Sequence, residues 1–133
     1  MKRFISIVIV VVILLTLNIY SIGAEAISQK AGLKARSHME FLAEEIGPRV
    51  AGTENEAKAG EYIISTFKTL GYDVQIQPLK YSVKRNGEAE VISSANIIAV
   101  KPGISKQEII VGAHYDSVDA GKGADDNASG VGV

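Results

Sequence analysis

The sequence predicts an α/β layered domain, and three observations carry that reading. Two helix-period apolar stripes come first, a series of short β-forming runs follows, and a continuous apolar run then ends in a histidine ahead of a Gly-rich loop. An all-α or all-β chain would not change its apolar period from helical to strand-like in this way.

Residues 1–26 stand apart from that domain. Lys2 and Arg3 form a positive n-region, Phe4 to Leu17 an apolar h-region, and Ala24-Glu25-Ala26 an A-x-A cleavage site, so this stretch reads as a secretory signal peptide. Apolar residues continue to Ile22, which leaves a retained membrane anchor as the alternative. The expectation is a secreted protein, in contact with a membrane only through this segment if it is not cleaved. Residues 27–133 are then long enough for one small domain.

In the first helix, Ala35, Met39, Leu42 and Ile46 recur at spacings of four, three and four, which is one helical face. Gly47-Pro48 ends it, because glycine suits the position after a helix and proline cannot continue the hydrogen-bond ladder. Glu44-Glu45 and His38 on this helix read as solvated surface residues. Thr53-Glu-Asn-Glu56 is a capping box that opens a second helix, with Gly60, Ile63, Phe67 and Leu70 as its buried stripe and Gly71 as its stop.

Strand signals follow. Val74, Ile76 and Pro78 alternate as an edge strand. Asn86-Gly87 between Tyr81–Val83 and Ala89–Ile92 marks a tight hairpin, and Ile97–Val100 is a further strand stopped by Pro102-Gly103. Glu108 to Ala113 is continuous rather than alternating, as expected of a strand buried on both faces. His114 falls at its C-terminal end, where open α/β sheets place ligand sites.

Composition excludes more than it selects. The chain has 14 basic and 15 acidic residues, and without residues 1–26 the balance is 12 to 14, so no electrostatic case exists for nucleic acid. Cysteine is absent, so an exported chain must rely on its core, and any metal site must use nitrogen and oxygen ligands. The usual attachment point for a lipid anchor is also missing.

The polar loop fails several motif tests. An EF-hand starting at Asp116 would need an acidic or amide residue at Val118 and Glu at Asn127. A dinucleotide fingerprint from Gly121 would need glycine at Asp126, and a phosphate loop would need Ser or Thr where Gly123 follows Lys122. Ser117 and Ser129 lie in no nucleophile elbow. An ordinary solvated turn is the bland alternative. Against it, His114 ends an apolar run, Asp116 can hold its other ring N–H, and Asp125-Asp126 places two like charges together, which a cation would relieve. Histidine and aspartate twelve residues apart are a ligand pair that zinc takes in hydrolytic sites.

Five segments in this order resemble one family. They are Ile46-Gly-Pro-Arg-Val-Ala-Gly-Thr53, Gly71-Tyr-Asp-Val74, Ser94-Ala-Asn96, Gly112-Ala-His-Tyr-Asp-Ser-Val118 and Gly123-Ala-Asp-Asp-Asn-Ala-Ser-Gly130. From about Met39 to Val133 the chain is similar to the N-terminal part of the co-catalytic di-zinc aminopeptidases, the superfamily that also holds glutamate carboxypeptidases and glutaminyl cyclases.

The resemblance implies a three-layer α/β/α sandwich with a mixed, mostly parallel sheet, present here only as its N-terminal part. It implies His114 and Asp126 as metal ligands, Asp126 bridging two zinc ions, and Asp116 orienting His114. Asp125 is a non-ligand, and a cis peptide joins Asp126 to Asn127. The implied activity is metal-assisted hydrolysis of peptides with a free N-terminus, one residue at a time. The family's general base and its further ligands, a Glu-Glu pair, an Asp and a second His, have no counterpart after Asp126. This chain alone is therefore expected to be inactive. A carboxypeptidase or glutaminyl cyclase of the same fold, or a non-catalytic exported binding module, are the alternative readings.

Overall fold

The computed structural model describes residue 13 and residues 27–133 except Asn86, so the signal-peptide reading lies outside the described residues. Among the described residues no helix is long and apolar enough to cross a membrane. Residues 27–40 are α-helical (α1) and run into a wider turn, Phe41–Ile46, closed by a bond from Gly47 N to Leu42 O of 3.2 Å. The expected face is the buried one. Leu42 is fully buried with Ala59 and Ala128, and Met39 and Ile46 pack against them. Gly47, at φ 79° and ψ −146°, takes a positive-φ conformation open to glycine, and the helix ends there.

Helix α2, Glu54–Thr69, starts at Thr53, whose side chain accepts from Glu56 N. The reciprocal half of the box is displaced by one residue. Glu56 Oε2 accepts from Gly52 N at 2.5 Å, and its other oxygen accepts from Ser94 Oγ on the sheet at 2.5 Å. The Glu56 side chain is therefore buried and ties helix to sheet. At the far end, Gly71 N bonds Lys68 O and Tyr72 N bonds Phe67 O, with the Phe67 and Tyr72 rings 5.5 Å apart. That is a Schellman stop with its apolar contact. Leu70 departs from the predicted stripe: it lies beyond the last helical turn and is 58% exposed.

The separate strand signals merge into one hairpin. Strand β1, Asp73–Arg85, pairs antiparallel with β2, Glu88–Val100, from Asp73↔Val100 to Arg85↔Glu88. Gly87, at φ 87°, supplies the positive dihedral of the tight turn, while Asn86 lies outside the described residues. Pro78 is tolerated because this two-stranded sheet has an open edge along each strand.

Residues 107–118 form no strand, contrary to expectation. Ile109, Ile110 and Val111 are 94%, 88% and 92% exposed. A buried strand needs a ladder on either side, and among the described residues no third strand lies beside this run. The sheet seen here is accordingly antiparallel, with none of the parallel neighbours expected of a complete sandwich. The chain ends in the wide turn Ala124–Ala128 and the short helix α3, Ser129–Gly132. Gly132 is there because a side chain would collide with Ala35 O on α1.

Candidate metal centre

Two segments bring the chemistry together. The first runs from Ala113 to Ser117, the second from Lys122 to Ala128 through a cis peptide at Asp126–Asn127. His114 Nε2 lies 3.0 Å from Asp126 Oδ1. On the other side of the ring, Nδ1 is 3.2 Å from both the main-chain oxygen and Oδ1 of Asp116. All three residues singled out by sequence therefore meet. Asp125, expected to stand aside, is exposed, and its main-chain oxygen accepts from Ser129 Oγ at 3.0 Å.

One premise of the sequence reading fails. His114 was expected to be costly to leave unpartnered in an apolar setting, yet its side chain is 53% exposed because the run before it is not buried. Geometry supplies a better reason for a cation. Both atoms facing Nδ1 are acceptors, so a neutral ring carries its proton there. Nε2 then directs a lone pair at a carboxylate oxygen, and a positive centre, proton or metal, has to lie between them. Zinc bonds of about 2.0–2.2 Å, meeting near a tetrahedral angle, hold two ligand atoms roughly 3.3–3.6 Å apart. The observed 3.0 Å is a hydrogen-bond separation, which a bound ion would widen by a few tenths of an ångström. Asp126 is 81% exposed at its side chain, which leaves its second oxygen accessible. Among the described residues no group of three or more His, Cys, Asp or Glu could hold a metal ion.

Sequence reasoning missed the residue that organises both segments. Arg49 is fully buried, and its guanidinium donates to five main-chain oxygens. Nε bonds Tyr115 O at 2.9 Å, and Nη1 bonds Leu42 O, Gly47 O and Lys122 O at 2.7, 2.8 and 2.9 Å. Nη2 bonds Gly123 O at 2.8 Å. Its own backbone pairs with Ser117, through Arg49 N to Ser117 Oγ at 2.9 Å and Ser117 N to Arg49 O at 3.0 Å. Burial pulls the guanidinium's pKa below its ordinary value, and the Asp116 carboxylate opposes that fall. Gly123, at φ 61°, makes the approach possible: a Cβ there would sit 2.5 Å from Ser117 Cβ and 2.8 Å from Arg49 Nη2.

The other polar residues weighed in the sequence lie outside this centre. Glu44 is exposed and pairs with Lys122, and Glu45 is exposed. His38 is half-buried rather than on the surface, with Nδ1 2.6 Å from Tyr62 Oη, because Tyr62 of α2 packs beside α1. Tyr115, half-buried against Gly60, donates to Ala95 O at 2.9 Å, and burial raises its pKa above the ordinary value.

A helix-and-hairpin scaffold that presents a His–Asp pair from Gly-rich loops defines an α/β domain with a candidate pair of metal ligands. Comparison with known proteins agrees. Residues 96–133 match Peptidase family M28. The chain is 36% identical over 70 residues to the "Probable lipoprotein aminopeptidase LpqL" of Mycobacterium tuberculosis, covering 52% of this chain and 14% of that protein. It is 28% identical over 133 residues to the "Alkaline phosphatase isozyme conversion protein" of Escherichia coli K12, covering 86% of this chain and 39% of that protein. The chain thus spans well under half the length of either relative. In fold it is similar to the crystal structure of Fimbriiglobus ruber glutaminyl cyclase, with a TM-score of 0.54, 22% identity, and coverage of 74% of this chain and 36% of that one. The C-terminal third of the chain is thus similar to the M28 peptidases, and the fold is similar to part of the glutaminyl cyclase α/β fold.

Proposed function

We propose that this chain supplies the His114–Asp126 half of the centre of a zinc-dependent aminopeptidase that removes single residues from peptides with a free N-terminus. The observation that carries the reading is the 3.0 Å approach of His114 Nε2 to Asp126 Oδ1, with Asp116 behind the ring. The aminopeptidase relative and the M28 match support the reaction class.

His114 would hold a zinc ion through the bare Nε2, and Asp126 would share its carboxylate between that ion and a second one. When bound, the ions supply Lewis acidity for a scissile carbonyl and a water of lowered pKa. The residues of this chain prepare that chemistry. Asp116 holds the Nδ1 proton, which keeps the lone pair on Nε2 and fixes the ring's orientation. Asp126 presents its carboxylate at an exposed position, where cations would reach it without a buried-charge penalty. Proton transfer to the leaving amine requires a base that none of these three residues provides. We further propose that the protein is exported, with residues 1–26 as its signal.

The test is a zinc titration of the full chain followed by ring-nitrogen NMR of its two histidines. The expected result is a weak response at His114, lost in Asp126→Asn, with His38 silent. The chain alone should not hydrolyse a leucyl chromogenic amide. A response equal at both histidines contradicts the ligand assignment, and zinc-dependent hydrolysis by this chain contradicts its incompleteness.

A further inference from the structure

We propose that Arg49 is a positioning residue for the metal centre: its guanidinium clamps the two ligand-bearing segments together and so sets the His114–Asp126 approach. The proposal rests on the reading of those two residues as ligands.

Three features separate this arginine from an ordinary structural one. First, its partners are distributed across the site. One hydrogen bond goes to Tyr115 O, the residue after His114, and two go to Lys122 O and Gly123 O, at the entry to the turn that carries Asp126. The remaining two, to Leu42 O and Gly47 O, anchor the group to the end of the first helix, where carbonyls point outward and favour a cation. Second, no carboxylate forms an ion pair with Arg49 among the described residues; five carbonyl dipoles surround its charge, and Asp116 attracts it from further off. The planar guanidinium spans carbonyls arriving from several directions, with the two N–H groups of Nη1 shared among three of them; an ammonium has three N–H groups on one atom and lacks that reach. Third, Arg49 adds direction to a contact that apolar packing alone leaves loose. The run before His114 is exposed, and the Asp126 turn is held locally by Ala128 N to Gly123 O at 3.1 Å. Ala128 and Tyr115 share the small core around Leu42, and the Arg49 cage, joined by the Ser117 pairing, adds directional hydrogen bonds between the two segments.

A metal-free readout tests this directly in the full chain. The chain contains two histidines, and His38 bonds Tyr62, a residue with no part in the cage, so it serves as the internal control. In the parent, the His114 ring should show one protonated and one bare nitrogen. In Arg49→Ala these two resonances should move towards a common averaged value while those of His38 stay in place. Guanidinium ion at millimolar concentration should restore the parent pattern, and Arg49→Lys should not. Should Arg49→Ala fail to fold, Gly123→Ala presses on the same cage from the other side and should shift His114 alone. His114 signals unchanged in a folded variant, or moving together with those of His38, overturn the proposal. Because no metal is added, failure of the zinc titration above leaves this result readable on its own.

Discussion

The two stretches that meet at His114 are built on opposite principles. Before it, Ile109, Ile110 and Val111 are strongly apolar and nearly fully exposed. After it, Tyr115 to Gly123 is polar and Gly-rich, yet holds the buried Ser117 and wraps a buried arginine. Apolar content did not secure order, because a strand is stabilised by neighbours and none is described here. Five carbonyls around one guanidinium did secure it. The candidate site is therefore held by hydrogen bonding from one side and is free on the other.

Substitutions on the two sides should separate sharply. Arg49→Ala should have the largest effect, because it leaves several buried carbonyls without donors at about 1–3 kcal/mol each before water enters. A loss of at least about 3 kcal/mol in a denaturant melt is expected. Leu42→Ala removes the side chain at the centre of the small core and should cost about 2–4 kcal/mol by the same measurement, without moving the His114 ring signals.

Tyr115→Phe should cost about 1 kcal/mol at neutral pH through the lost bond to Ala95 O. It also has a pH signature. Burial raises the phenol's pKa in the folded protein, so this group leaves stability unaffected below about pH 10 and erodes it as pH climbs further. The variant should show a shallower alkaline decline in thermal melts recorded between pH 8 and pH 11. Ile110→Lys, on the exposed side, should change stability by no more than about 0.5 kcal/mol. Its expected effect is lower self-association in sedimentation, because the unpaired apolar run is the natural place for chains to meet.

Much of this was legible in the residues. Thr53, Gly47 and Gly71 punctuate the helices as their chemistry requires, and the turn at Gly87 fixes the hairpin register. The meeting of His114, Asp116 and Asp126 follows from segments only twelve residues apart, a short loop closure. Two things were not legible. Residues 108–113 have the composition of a buried strand, but burial is decided by partners that composition does not reveal. Arg49 was invisible for a different reason. Its acceptors are main-chain oxygens, which every residue possesses, and they are spread from Leu42 to Gly123. The one available mark was a lone charge between Gly47-Pro48 and Val50-Ala51-Gly52, a stretch of small and apolar residues where a solvated arginine has little reason to sit. The reach of Glu56 to Ser94 was illegible for the same reason, since it depends on tertiary packing.

The most direct test is a crystal of the full chain soaked in zinc, with anomalous scattering recorded at the zinc edge. A peak about 2.1 Å from His114 Nε2 and also within bonding range of an Asp126 oxygen is the predicted result. A peak elsewhere on the molecule, with the imidazole and the carboxylate still in direct contact, would contradict the account.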